Sequence, residues 1–438
     1  MLLAVGLLPR TFGGRLAAVA VVGIALRAAY LYGPARHVAG IGDWYFYHWQ
    51  AQLIAQGHGF VDPWVLLGTH QYRASAIHPP LYPLLLSGVY LLGGHSAIDQ
   101  RSLGLVLGTV TLVLVALIGR RVGGDRVGLV AGLLYAIYPV MIAVDGDLMS
   151  EVLYSPLIAG MLLTGLAMLD RPSLRRAALL GALIALAALT RTEALLFVPF
   201  LVVPVAWRAR PSWRGRVSLI AAAVLACAVV LAPWEIRNES VFGRFVPIST
   251  NNATVLAGAN CPQTYSGVDM GSWSESCDAP RTRTNEAAQA AIWQREGISY
   301  AEHHASRLPE VVLVRLLRVW DLWQPRRQAR VFSEGQQIGT AEAGVAVFYV
   351  FMVIAVLGVA DLWRRRVGGD RVLLVLLAPA VVVSVSAAVG YGVPRLRDSF
   401  DVALVVLAAG GLVTVRDRIV ARRRTARPLD PVSSRPAA

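Results

Sequence analysis

The chain has 438 residues, 56% of them hydrophobic and only 16% charged, with a mean hydropathy of +0.55. A soluble domain carries about 25% charged residues, so a soluble fold is excluded and a polytopic membrane protein is indicated. The formal net charge is +14, and all 41 basic residues are Arg. They fall in short clusters between apolar stretches, so the excess is topological and no nucleic-acid partner is expected.

Ten apolar stretches are long enough to cross, or nearly cross, a hydrocarbon layer of ~30 Å. In chain order they are 16–32, 103–118, 127–144, 152–169, 177–189, 194–207, 217–234, 343–360, 372–389 and 400–415. Arg10 and Arg15 precede the first as in a signal peptide, but no clear cleavage site follows, so it reads as a retained helix. The two stretches flanking Arg191 are short and suit a hairpin that does not fully cross.

Residues 81–92 are apolar too, yet at about 12 residues they are too short to span unaided. Counted as a span, they would put the Arg clusters at 120–126, 171–176, 208–216 and 364–371 outside the cell. Read as an amphipathic helix lying in the outer interface, they put all four inside, with the Arg-rich tail at 416–427. The positive-inside rule selects the second arrangement. The expected fold is therefore an all-α polytopic membrane protein of about ten transmembrane helices. Interfacial helices occupy the first outer loop, 33–100, and both termini are cytoplasmic. An N-terminal transmembrane module covers 1–235, a larger extracytoplasmic loop 236–340 and the C-terminal helices 341–415. A disordered cytoplasmic tail is expected over 416–438.

Polar residues with chemical potential collect on the outer side of this scheme. Gly42-Asp43-Trp44-Tyr45-Phe46-Tyr47-His48-Trp49 sets an acid among aromatics that favour the membrane surface. It reads either as an aromatic belt with one solvated acid or as a site in which Asp43 is a general base. Asp145, Asp147 and Glu151 on the next outer turn suit positioning an acceptor, or holding a divalent metal through oxygen ligands, or a solvated helix end. His78, before Pro79-Pro80, suits a phosphate contact, a metal ligand or a structural role.

Thr190-Arg191-Thr192-Glu193 interrupts an apolar run, where an ionisable group must pair or face a cavity. Arg191 therefore pairs with an acid such as Glu193 or reaches a lipid-linked phosphate, which a guanidinium holds by two hydrogen bonds. Arg395 and Arg397 lie outside, against the charge bias, and suit an anionic partner or salt bridges to Asp398 or Asp401. Cys261 and Cys277 read as a disulfide of an oxidising compartment, or else as two free thiols. Cys227 is an apolar filler inside a membrane helix.

Taken in order, several features resemble the C-type glycosyltransferases, nearest the protein mannosyltransferase and lipid A aminoarabinose transferase branch. They are the outer Asp43 after the first helix, the run His78-Pro79-Pro80-Leu81-Tyr82-Pro83, the acids from Asp145 to Glu151, the Thr-Arg-Thr-Glu interruption, and the exit Pro233-Trp234-Glu235-Ile236-Arg237-Asn238. The resemblance extends over residues 15–415. Two departures stand out: Asp43 is followed by Trp44 where the eukaryotic mannosyltransferases carry paired acids, and the outer domain is small.

The resemblance implies an integral cell-membrane enzyme with its site facing outside. It would pass a sugar from a polyprenyl-phosphate donor to a hydroxyl of a cell-envelope glycan, lipid or protein, inverting the anomeric centre. Asp43 is the expected base, and Arg191, Arg395 or Arg397 the expected holders of the phosphate. No Gly-rich nucleotide cradle occurs, as suits a lipid-phosphate donor. The alternative is a polyprenyl-lipid flippase or transporter, which would need ionisable groups near the bilayer midplane and two repeated halves.

Overall fold

The computed structural model describes residues 11–38, 40–279, 285–331, 336–364 and 368–425. These residues form helices and turns, with one isolated antiparallel bridge between Val61 and Ala74. Eight helices among the described residues are long and apolar enough to cross a membrane, so the protein is the all-α, multi-pass chain that its composition indicates.

One of the eight is itself a hairpin. Between residues 103 and 137 the backbone leaves helical geometry at Gly123 (φ −146°) and Gly124 (φ 80°). A Cβ on Gly128 would stand 2.7 Å from the Ala116 carbonyl oxygen, whereas twelve residues along one straight helix are roughly 18 Å apart. The two arms therefore run side by side. Gly124 adopts the positive φ that a Cβ resists, so glycine fits the turn. Counting the arms separately and adding the fifteen-residue helix Leu174–Ala188 gives ten segments, in the order that the hydropathy pattern predicts.

Two boundaries differ from expectation. The third expected span stops at residue 137, and Pro139 opens a separate short helix, Pro139–Asp145, because proline lacks the N–H needed to continue the first. The last helix, Asp398–Thr425, runs ten residues past the expected end at 415, where Arg126 and Arg416 both lie within ion-pair distance of Asp417. The remainder of the expected tail, 426–438, lies outside the described residues. The helix Leu81–Leu91 has 11 residues and covers about 16 Å, half of what crossing needs.

Every residue from Ser399 to Ala409 is buried. A helix enclosed on all sides belongs at the centre of a bundle. It packs closely on the helix Ile338–Arg364, where Gly358 and Gly411 let the backbones approach, the small-residue contact that favours association in membranes. The turn that precedes it, Pro394–Arg397, is thereby carried by the best-enclosed element.

The two long segments between spans dock on each other. Thr250 N–H donates to Ala76 O (2.9 Å), Ser249 Oγ donates to Ile77 O (2.5 Å), and Glu286 Oε1 accepts from Ala76 N–H (2.8 Å). The exit motif works as a backbone clamp. Trp234 Nε1 donates to Ile248 O (2.6 Å), Glu235 Oε1 accepts from Ile248 N–H (2.8 Å), and Arg237 Nη1 donates to Ser75 O (3.0 Å). Cys261 and Cys277 are bonded. Buried Arg315 ties their loop to the membrane helix Gly369–Val389 by donating to Ala259 O (2.6 Å) and Ala388 O (3.1 Å).

Candidate active site

Asp43 is the first residue of the helix Asp43–Ala55, where the positive end of the helix dipole favours a carboxylate. Tyr47 follows one turn later on the same face. Across from them His78 lies in the stretch that the clamp holds. The following Pro79 keeps it extended, and Leu81 N–H bonds Leu189 O (2.9 Å). This last bond brings the His-Pro-Pro stretch to the Thr190-Arg191 interruption. His78 Nε2 stands 3.3 Å from Asp43 Oδ1, and Tyr47 Oη stands 3.4 Å from His78 Nδ1.

Arg191 and Arg395 complete the wall. Arg191 pairs with Glu151 and, through Nε, with Glu193 Oε1 at 2.5 Å. Arg395 Nε lies 3.0 Å from Glu151 Oε1, and its Nη2 lies 3.5 Å from Asp43 Oδ2. Burial by itself would raise the Asp43 carboxyl, but the His78 imidazole and the Arg395 and Arg191 guanidinium groups outweigh it and hold the group well below the usual carboxylate range. Asp43 is therefore ionised throughout the neutral range.

Asp43, Tyr47, His78, Arg191, Glu193 and Arg395 line one cleft of about 360 Å³. One wall is polar and charged; the other is Leu196, Val255, Leu256, Val385 and Val389. A smaller cavity of about 70 Å³ adjoins it, sharing Arg395 and lined also by Asp147, Glu151, Asp321, Arg397 and Asp398.

The structure thus brings together Asp43, His78, Glu151, Arg191 and Arg395, and separates other expected site residues. Asp145 lines neither cavity. It accepts from Arg27 Nε of the first helix at 2.6 Å, both side chains being fully buried. Asp147 borders only the smaller cavity. Arg397 is buried against Asp321 (2.6 Å) and Asp401 (3.4 Å), with its guanidinium 3.5 Å above the Phe348 ring centroid. The physical reason is the turn: Pro394–Arg397 is a 3₁₀ helix, in which residues two apart point roughly 240° apart. Arg395 faces the cleft and Arg397 faces the core.

The described residues of the site do not fit a divalent cation. Among the described residues no three His, Cys, Asp or Glu side chains gather as a metal set. The cleft carboxylates of Asp43 and Glu193, and the Glu151 carboxylate of the adjoining cavity, each lie against a guanidinium group. Tyr47, Ser150, Asn251, Asn252 and Tyr391 also line the cleft without having been singled out from sequence. Tyr47 alone had a signal, its i+4 spacing from Asp43.

Residues 77–236 match the family model described as dolichyl-phosphate-mannose-protein mannosyltransferase. That stretch holds His78, Glu151 and Arg191, while Asp43 and Arg395 lie beyond it. No curated protein sequence matches the chain. Among solved structures, it is similar to the archaeal oligosaccharyltransferase AglB from Archaeoglobus fulgidus in complex with an inhibitory peptide and a dolichol-phosphate. The TM-score is 0.60 and the identity 16%, covering 95% of this chain and 52% of that one. The apo form of the Archaeoglobus fulgidus oligosaccharyltransferase gives 0.57 and 15%, over 95% and 52%. ArnT from Cupriavidus metallidurans bound to undecaprenyl phosphate gives 0.37 and 14%, over 95% and 80%. The chain spans about half the length of the archaeal proteins it matches. The resemblance to the protein mannosyltransferases, first read from the motifs, thus recurs in a family model over residues 77–236, and 95% of this chain shares the fold of the archaeal oligosaccharyltransferase.

Proposed function

We propose that the protein is an integral membrane glycosyltransferase that takes a sugar from a polyprenyl-phosphate donor. The acceptor is a hydroxyl of a cell-envelope glycan, lipid or protein. The observation that carries this reading is the single cleft in which the Asp43 carboxylate and the Arg191 and Arg395 guanidinium groups face one another beside an apolar wall. The shared fold adds support, since the archaeal relative was solved with a dolichol-phosphate.

In the proposed step, an Asp43 oxygen takes the proton of the acceptor hydroxyl while that hydroxyl's oxygen attacks the anomeric carbon. The bond from that carbon to the phosphate oxygen breaks on the opposite face, so the centre inverts. The electron pair stays on the phosphate, where Arg191 and Arg395 stabilise the growing charge. Such preorganised cations contribute on the order of 3 kcal/mol at comparable sites. The wall of Val255, Leu256, Val385 and Val389 receives the first units of the polyprenyl chain.

Purified protein in vesicles, supplied with labelled polyprenyl-phosphate sugar and a cell-envelope extract, is expected to release polyprenyl phosphate and label the acceptor. Movement of intact donor across the vesicle with no cleavage of the sugar–phosphate bond would instead identify a flippase.

The site faces the outside in this reading, with both termini cytoplasmic. The motive is the clustering of Arg at 120–126, 171–176, 208–216 and 364–371. A topology reporter fused after Gly94 is expected to signal the outer compartment and one after Gly124 the cytoplasm. The reverse pattern would put the cleft on the cytoplasmic side.

A further inference from the structure

Glu151 opens the helix Glu151–Asp170, lines the smaller cavity, and touches two arginines that line the cleft, Arg191 and Arg395. It is only 2% exposed. Its Oε1 contacts Arg191 Nη1 and stands 3.0 Å from Arg395 Nε, while Oε2 accepts from Ser150 Oγ at 3.3 Å. One carboxylate oxygen therefore meets two guanidinium groups from distant parts of the chain. Left to themselves, two adjacent cations repel. Arg191 has Glu193 as a second anchor, but the other end of Arg395 faces Asp43.

We propose, resting on the reading that this cleft takes a polyprenyl phosphate, that Glu151 is the positioning residue of the donor site. It holds both guanidinium groups at a spacing from which each reaches the same phosphate, an anion with enough oxygens for two such partners. It also keeps Arg395 from closing onto Asp43. With Glu151 neutral, Arg395 loses its 3.0 Å partner while the Asp43 carboxylate stays 3.5 Å from Nη2, and a full pairing there withdraws the phosphate holder and occupies the base together. Loss of Glu151 therefore raises the donor KM and lowers kcat in one change, although Glu151 itself touches no reacting atom.

The test is a double-variant cycle on the full chain in detergent, with undecaprenyl phosphate as the binding probe. Glu151→Gln and Arg395→Gln are each expected to bind the probe about tenfold more weakly, the loss of a charge-assisted contact. Together they are expected to lose less than the product of the two, because changes that act through one contact do not add. Melting is followed for each variant. Should Glu151→Gln fail to fold, Glu151→Asp, which keeps the charge and shortens the reach, is expected to show the same shortfall with Arg395→Gln. Losses that multiply fully, or a Glu151→Gln protein that binds like the parent, overturn the role of Glu151. A parent protein that ignores undecaprenyl phosphate overturns the donor assignment itself.

Discussion

Asp43→Asn is expected to lower sugar transfer by roughly 10²–10⁴, the range supplied by a positioned general base. The substitution keeps the size of the side chain and one accepting oxygen, so contact with His78 is retained. It removes only the charge and the capacity to accept a proton. Binding of polyprenyl phosphate should hold steady or tighten, because Arg395 Nη2 loses the anion now 3.5 Å away and turns wholly to the phosphate. Single-turnover transfer and lipid binding measured on one preparation separate the two effects. Transfer at the parental rate would remove Asp43 as the base, and Asp147, at the edge of the neighbouring cavity, would be the next acid to test.

The second large effect is on stability. Arg27→Ala is expected to destabilise the protein by about 3–5 kcal/mol, because it leaves a buried carboxylate without its counter-charge. Arg27 and Asp145 are both fully buried at 2.6 Å. Arg27 also donates through Nη1 to Gly23 O at 3.2 Å. The neighbouring helix makes room only by having Gly108 there: a Cβ at that position would lie 2.2 Å from Asp145 Oδ2 and 2.7 Å from Arg27 Nε. Replacing both charges together, Arg27→Met with Asp145→Leu, is expected to recover most of the loss, since a well-packed apolar pair often replaces a buried ion pair without penalty. Thermal unfolding in detergent, followed by retained monomer, reads both variants. Parental melting of Arg27→Ala would show that Asp145 is satisfied by other means.

Much of the fold was legible because hydropathy and the placement of Arg report directly on the solvent each segment meets. The turn at Gly123-Gly124 follows from that pattern, as does the short helix Leu81–Leu91. Asp43, His78 and Arg191 were legible for the same reason, being polar groups where apolar ones are cheaper. The meeting of Glu151 with Arg191 and Arg395 was not, because it depends on how three separate elements pack. Nor was the division between Arg395 and Arg397, which rests on a local 3₁₀ geometry that spacing alone does not reveal. Asp145 was misplaced for a different reason. A lone Arg27 within an apolar span demands an acid partner, and Asp145 supplies it. The exit motif through Asn238 carries a clamp on backbone groups, a role that its residue types do not distinguish from a contact with substrate.

The position of Arg395 in the turn before the last helix has a consequence for biogenesis. A nascent chain emerges from its N-terminus and folds in that order, so Asp43 and His78 reach the membrane early and Arg395 arrives only with the helix Asp398–Thr425. On the proposed mechanism, the growing polypeptide until then has its base but lacks one of the two guanidinium groups for the phosphate. In the proposed mechanism, a ribosome that stalls before Pro394 therefore leaves an inert product.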